Sequence, residues 1–219
     1  MTAAPAVPAT EGPPVVRFDR TVRWLHWSNA TLFLVLLATG MTLYIPSLSS
    51  VVGRRVLLKD VHVISGVLLP VPLVMAYAGA WREGLRRDVR RLARWSVDDR
   101  RWLTSLGRRG RASMGKFNAG QKLNAILVAG SIPVMLATGG IMRWFSPFPL
   151  AWRTGATFVH DWTSLVLLAV ITGHILKALA DPVALRAMMR GTVPRRRVDR
   201  RHPRWAAELG PAPEVTEPR

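Results

Sequence analysis

The sequence predicts an all-α integral membrane protein, a four-helix bundle with both termini on the cytoplasmic side. Three observations carry that prediction. Residues are 49% apolar while the formal net charge is +18, a combination that apolar spans alternating with basic loops satisfy and a soluble globule does not. Four apolar runs are each about twenty residues or a little more, enough to cross a hydrocarbon slab about 30 Å thick as a helix. The arginines crowd into alternate connections, the pattern that sets membrane topology. That same segregation argues against a nucleic-acid partner, and membrane lipid is the expected surroundings. The chain holds no cysteine, which excludes disulfides, thiolate metal sites, iron–sulfur clusters of its own and covalent c-type haem attachment.

Residues 1–16 are rich in alanine and proline, lack an apolar core and read as a disordered tail rather than a signal peptide. The first span runs from about Trp24 to Ile45 and stops at Pro46. The second runs from about Leu57 to Trp81, with Pro70 and Pro72 inside it. The third covers about Leu123 to Phe145 and contains Pro133, and the fourth covers about Phe158 to Ala180. Interior prolines are tolerable where neighbouring helices pack around a kink. Residues 17–193 then form the membrane domain, and 194–219 a basic, then proline-rich tail.

The connection between spans two and three carries Arg82, Arg86, Arg87, Arg90, Arg91, Arg94, Arg100, Arg101, Arg108, Arg109, Arg111 and Lys116. The segment after span four adds Arg186, Arg190, Arg195, Arg196, Arg197, Arg200, Arg201 and Arg204. The other two connections offer only Arg54, Arg55 and Lys59, and Arg143 and Arg153. The positive-inside rule places the arginine-rich connections and both termini in the cytoplasm. Leu37 to Gly40 and Leu136 to Gly139 share the sequence Leu-Ala-Thr-Gly, and a histidine follows each after twenty-two and twenty-one residues. This points to a duplicated helix pair.

Four of the five histidines lie in or at the edge of a span, where ionisable groups are costly and tend to be functional. His160 and His174 are fourteen residues apart in span four, which on a helix puts them on one face, about 21 Å apart along the axis. Depth sorts the rest. His62 and His160 sit at the outer starts of spans two and four, and His26 and His174 at the cytoplasmic ends of spans one and four. Two imidazoles on facing helices can bind a haem iron from opposite sides, so two pairs imply two stacked haem b groups. The plain reading of any single histidine is a core ring bonded to a carbonyl or hydroxyl. Four at matched depths weigh against it, and the lack of accompanying carboxylates and thiolates weighs against zinc or copper. Gly40, Gly66, Gly139, Gly140 and Gly173 either admit a macrocycle close to the backbone or serve helix packing. Propionates would seek Arg20 or Arg23 inside and Arg54, Arg55 or Arg153 outside. His202 lies in a polar tail and is assigned no metal.

Arg17, Phe18, Asp19 and Arg20 with Arg23, Trp24, Leu25, His26 and Trp27 open span one, and Lys116, Phe117, Asn118, Ala119, Gly120, Gln121 and Lys122 open span three. With the His160/His174 spacing, and with the tail from Arg186 to Val193 followed by His202 and Trp205, these segments resemble the dihaem cytochrome b (gamma) subunit of membrane-bound formate dehydrogenase. The resemblance covers roughly residues 17 to 205. It implies a bacterial inner-membrane anchor with two haems b, ligated by His62 and His160 outside and by His26 and His174 inside. It further implies an iron–sulfur electron-transfer subunit and a molybdenum catalytic subunit as partners. A quinone, menaquinone or ubiquinone, would be reduced near Asn118, Gly120, Gln121 and His174. The plain alternative for Asn118 and Gln121 is capping of span three. Related chains serve other periplasmic oxidoreductases such as hydrogenases. Two further readings are a stand-alone cytochrome and a haem-free transporter or scaffold whose histidines relay protons.

Overall fold

The computed structural model describes residues 13–79, 82–109 and 114–211. The chain runs β1 (Val15–Val16), α1 (Arg20–Tyr44), α2 (Pro46–Val52), α3 (Arg55–Leu68), α4 (Val71–Ala78), α5 (Arg82–Ala93), α6 (Val97–Thr104), α7 (Ala119–Arg143), α8 (Leu150–Leu179), α9 (Pro182–Arg190), β2 (Thr192–Val193), α10 (Arg195–Arg201) and α11 (Pro203–Leu209). Among the described residues, four stretches are long and apolar enough to cross a membrane: α1, the α3–α4 pair, α7 and α8.

Local chemistry sets the ends. Asp19 caps α1 by accepting the Val22 N–H at 2.8 Å, the usual way to satisfy an orphan amide donor at a helix start. Pro46, which cannot donate to the preceding turn, ends that helix and opens α2. The second span, expected as one stretch from Leu57 to Trp81, is divided at Leu69 and Pro70 into α3 and α4. With no N–H on Pro70 or Pro72, the ladder resumes only at Val74, whose amide meets the Pro70 carbonyl at 3.0 Å. Its expected end at Trp81 lies outside the described residues. By contrast α7 runs through Pro133 unbroken, and the Ser131 hydroxyl engages the Val128 carbonyl at 2.8 Å beside the gap. The fourth span starts at Leu150, two turns before the expected Phe158, because Arg153 sits within the helix rather than before it.

Phe33 of α1, Leu69 at the α3–α4 break, Ile132 of α7 and Leu167 of α8 form one buried cluster at the middle of the bundle. Outward, large apolar side chains such as Leu34, Ile64, Leu165 and Leu176 are exposed. Around a soluble protein such a girdle would drive aggregation; against hydrocarbon it is the expected surface.

A second cluster, Phe18, Ala187, Val193, Val198 and Trp205, packs at one end of the bundle. There β1 pairs with β2 antiparallel, Val15 opposite Val193 and Val16 opposite Thr192. Gly191 (φ +90°) makes the corner, with its carbonyl accepting the amides of Arg17 and Phe18. Arg17 donates to the Lys116 carbonyl at 3.1 Å and faces His202 Nε2 at 3.1 Å, while Arg91 pairs with Glu208 at 2.9 Å. The N-terminal segment, the arginine-rich middle segment and the C-terminal helices therefore share one end. Of the tail expected over residues 1–16, residues 1–12 lie outside the described residues, and Val15 and Val16 form β1. Within the tail expected over residues 194–219, α10 and α11 cover Arg195–Arg201 and Pro203–Leu209, and residues 212–219 lie outside the described residues.

Candidate functional site

The two histidine pairs expected from depth meet across the bundle. His26 of α1 faces His174 of α8 with ring centroids 6.2 Å apart, and His62 of α3 faces His160 of α8 at 6.3 Å. An imidazole nitrogen bonds a transition metal at about 2 Å and stands about 1.2 Å from its own ring centre, so two rings sharing one metal from opposite sides hold their centroids about 6.3 Å apart. Both pairs match that spacing. The interplanar angles are similar, 58° and 61°. Because α8 is one continuous helix, its two histidines are separated by about 21 Å of axial rise. The residues present fit two metals held by neutral nitrogen donors, one towards each end of the bundle.

The His62–His160 pair is held by the repeated Leu-Ala-Thr-Gly segments. Thr39 Oγ1 lies 2.9 Å from His62 Nδ1, and Thr138 Oγ1 lies 3.0 Å from His160 Nδ1. One residue on, a Cβ placed on Gly40 would stand 3.3 Å from His62 Cε1, and one on Gly139 would stand 3.4 Å from His160 Cε1. These glycines make room for the imidazole itself. Gly66 and Gly140 approach Leu36 and Trp144 instead, and a Cβ on Gly173 would meet nothing within 4 Å. The sequence displays the duplication but not this task, which depends on how the helices pack. Near the His26–His174 pair, Asn29 stands one turn from His26, with a buried amide oxygen that has no partner among the described residues. A lone asparagine in an apolar span is a signal sequence reasoning passed over.

Asn118 and Gln121 form a reciprocal capping box that starts α7. The Asn118 amide meets Gln121 Oε1 at 3.0 Å, and the Gln121 amide meets Asn118 Oδ1 at 2.9 Å. Capping, the plain alternative, is thus what the side-chain oxygens do, while both NH2 groups stay outside the box as donors. Gly120 lies against Trp102, whose ring a Cβ would approach to 3.0 Å, and Lys177 stands 5.7 Å from that ring centre. Among the arginines proposed for propionates, Arg55 is bonded to Ser49 Oγ at 2.9 Å and Arg23 to the Met189 carbonyl.

The polar floor beneath Asn118 is firmly built. Lys116 Nζ meets both Asp88 oxygens at 2.6 Å, with both side chains buried. Burial pushes the Lys116 ammonium below the usual lysine range, and the Asp88 carboxylate restores part of that loss. Lys122 donates to Asp99 at 2.8 Å. Burial by itself would raise the Asp99 carboxyl, but hydrogen bonds from Lys122 and Ser96 outweigh it and hold the group below the usual carboxylate range. His202 Nδ1 lies 2.7 Å from the Gly115 carbonyl, so it carries the hydrogen, and Nε2 accepts from Arg17. Burial and the Arg17 charge push His202 down to about 4.

Four apolar spans enclosing two stacked imidazole pairs define a class, the membrane cytochromes b. The chain belongs to the prokaryotic cytochrome b561 family, whose model matches residues 17–191. It is 24% identical over 210 residues to the formate dehydrogenase, nitrate-inducible, cytochrome b556(Fdn) subunit of Escherichia coli K12, covering 89% of this chain and 91% of that one. It is also 24% identical over 202 residues to the formate dehydrogenase cytochrome b556 subunit of Haemophilus influenzae, covering 89% of this chain and 83% of the relative. The resemblance read from the motifs at the starts of spans one and three holds.

Proposed function

We propose that this chain is the electron-transfer subunit of a formate dehydrogenase-like complex in a bacterial cytoplasmic membrane, linking an iron–sulfur partner on the periplasmic side to a quinone near the cytoplasmic side. The observation that carries the reading is the pair of imidazole couples at 6.2 and 6.3 Å, one towards each end of the bundle. His62 and His160 would hold one haem b, and His26 and His174 the other. Bound there, iron porphyrin supplies reversible one-electron chemistry.

The protein's own contribution is positioning and insulation. Facing helices fix each couple, the Phe33–Leu69–Ile132–Leu167 cluster fills the layer between the two levels, and an apolar girdle excludes water. The gathering of the arginine-rich segments at one end supports a cytoplasmic placement for that end. His26, His174, Asn118 and Gln121 all lie towards it. The amide NH2 groups of Asn118 and Gln121, which the capping box does not use, suit a quinone carbonyl. No residue here performs formate chemistry, which falls to a molybdenum subunit carried by a partner.

Membranes containing the complex test the donor. Formate should bleach the oxidised and raise the reduced b-type absorbance within the time of turnover, and added quinone should reverse it. Reduction by hydrogen but not by formate would assign the chain to a hydrogenase instead. Reduction by dithionite alone would argue for a stand-alone cytochrome.

A further inference from the structure

The duplicated Thr-Gly step has a chemical consequence for the outer couple. Thr39 Oγ1 stands 2.7 Å from the Val35 carbonyl, and Thr138 Oγ1 stands 2.8 Å from the Val134 carbonyl. Neither carbonyl has a hydrogen to give, so each hydroxyl spends its single hydrogen there. The contacts from the same oxygens to His62 Nδ1 and His160 Nδ1, at 2.9 and 3.0 Å, must then be N–H donations by the rings. A neutral ring with its hydrogen on Nδ1 keeps its lone pair on Nε2. The two threonines therefore select one tautomer on both rings and leave the same nitrogen free on each. Gly40 and Gly139 admit the rings at 3.3 and 3.4 Å, which sets the planes. No hydroxyl bond of this kind is found at His26 or His174 among the described residues.

We propose that Thr39 and Thr138 are positioning residues that fix the tautomer and ring plane of His62 and His160, and so tune the outer of two metal centres independently of the inner one. The inference rests on the haem reading above. A ligating histidine that donates its second N–H is a stronger electron donor to its metal, and the donation here is strengthened because each hydroxyl is itself donating. Removing the acceptor weakens the ligand, favours the reduced iron and raises the potential of that centre alone.

The test compares Thr39→Val and Thr138→Val with Thr39→Ser and Thr138→Ser in the purified full chain. Thr42→Val serves as control, since Thr42 makes the same bond to its own helix, to the Ala38 carbonyl at 2.8 Å, away from any histidine. Redox titration followed by haem absorbance should show one of two waves moving upward in the valine variants and returning in the serine variants. The other wave should stay in place. Loss of one haem from a valine variant, with retention weakened about 10- to 100-fold and regained with serine, would also support the proposal. Two unmoved waves, or equal movement of both, would overturn it. A second readout needs no haem: 15N spectra of histidine-labelled apoprotein should report the Nδ1–H tautomer at His62 and His160 and a mixture in the valine variants. An Nε2–H tautomer in the wild type would overturn the seat even if the haems are present. Absence of any b-type spectrum from the wild type would overturn the haem reading instead.

Discussion

Changing Asp88 to asparagine should release the segment that carries the proposed quinone donors without disturbing the two histidine couples. Lys116 and Asp88 are 8% and 5% exposed, and Lys116 Nζ contacts both carboxylate oxygens at 2.6 Å. Removing one partner of a buried pair costs about 3–5 kcal/mol, because the other charge is left uncompensated. Lys116 keeps some support from the rings of Phe18, Phe117 and Trp205, at 5.4, 5.4 and 6.0 Å, each worth roughly 0.5–1 kcal/mol. The lower end, about 3 kcal/mol, is therefore expected, or roughly a hundredfold rise in local opening. Hydrogen exchange in nanodiscs reads this directly. Peptides from α5 and from the start of α7 should exchange about a hundredfold faster, while those around His160 stay protected. Because Asn118 and Gln121 lie just beyond Lys116, the KM for quinone should rise at unchanged haem content. Asp88→Leu combined with Lys116→Met should recover most of the protection, since an apolar pair removes both charges. Unchanged exchange in Asp88→Asn, or a double variant worse than either single one, would show that the Lys116–Asp88 pair does not hold this segment.

Gln121→Ala should slow quinone reduction severalfold with both haems retained; unchanged turnover would remove this residue from the quinone pocket. Gly40→Ala should disturb the outer centre, because its Cβ would press His62 at 3.3 Å, whereas Gly130→Ala, with nothing within 4 Å, should be silent in the haem spectrum. Docking of the C-terminal helices should weaken in acid. His202 is pushed from 6.5 to about 4 in the folded protein, so the undocked tail takes up a proton first as pH falls. Stability is full above about pH 6.5, declines towards pH 4 and levels off below it, with about 3 kcal/mol lost in all. Protease cleavage of α10 and α11 should accelerate across that window, and His202→Gln should flatten the profile.

What the sequence makes legible here follows the range of each force. The four spans are visible because hydrocarbon selects apolar length directly. The histidine couples are visible because helical rise and membrane polarity together assign each residue a depth and a face. The start of α8 escapes because Arg153 and Gly155 look like a loop, although an arginine at a membrane edge can remain helical and extend its head to water. The break at Pro70 is visible as a kink, but whether a proline bends a helix, as at Pro70, or is absorbed, as at Pro133, depends on neighbouring side chains. The cap at the arginine-rich end is hidden for another reason. Phe18, Val193, Val198 and Trp205 are too sparse for any periodicity, and Arg17 meets His202 across 185 residues. In the Thr-Gly steps the repeat is plain in the sequence, while its contact with His62 and His160 exists only once α3 and α8 are packed.

If the two imidazole couples each grip one haem, a haem count in histidine variants will separate them. Purified wild-type chain should give a dithionite-reduced b-type spectrum and about two haems per chain, as two separate bis-histidine couples require. His62→Ala and His160→Ala should each leave about one haem, the same one, and His26→Ala should leave the other. Two haems retained in any of these variants, or both lost from each alike, would contradict the pairing.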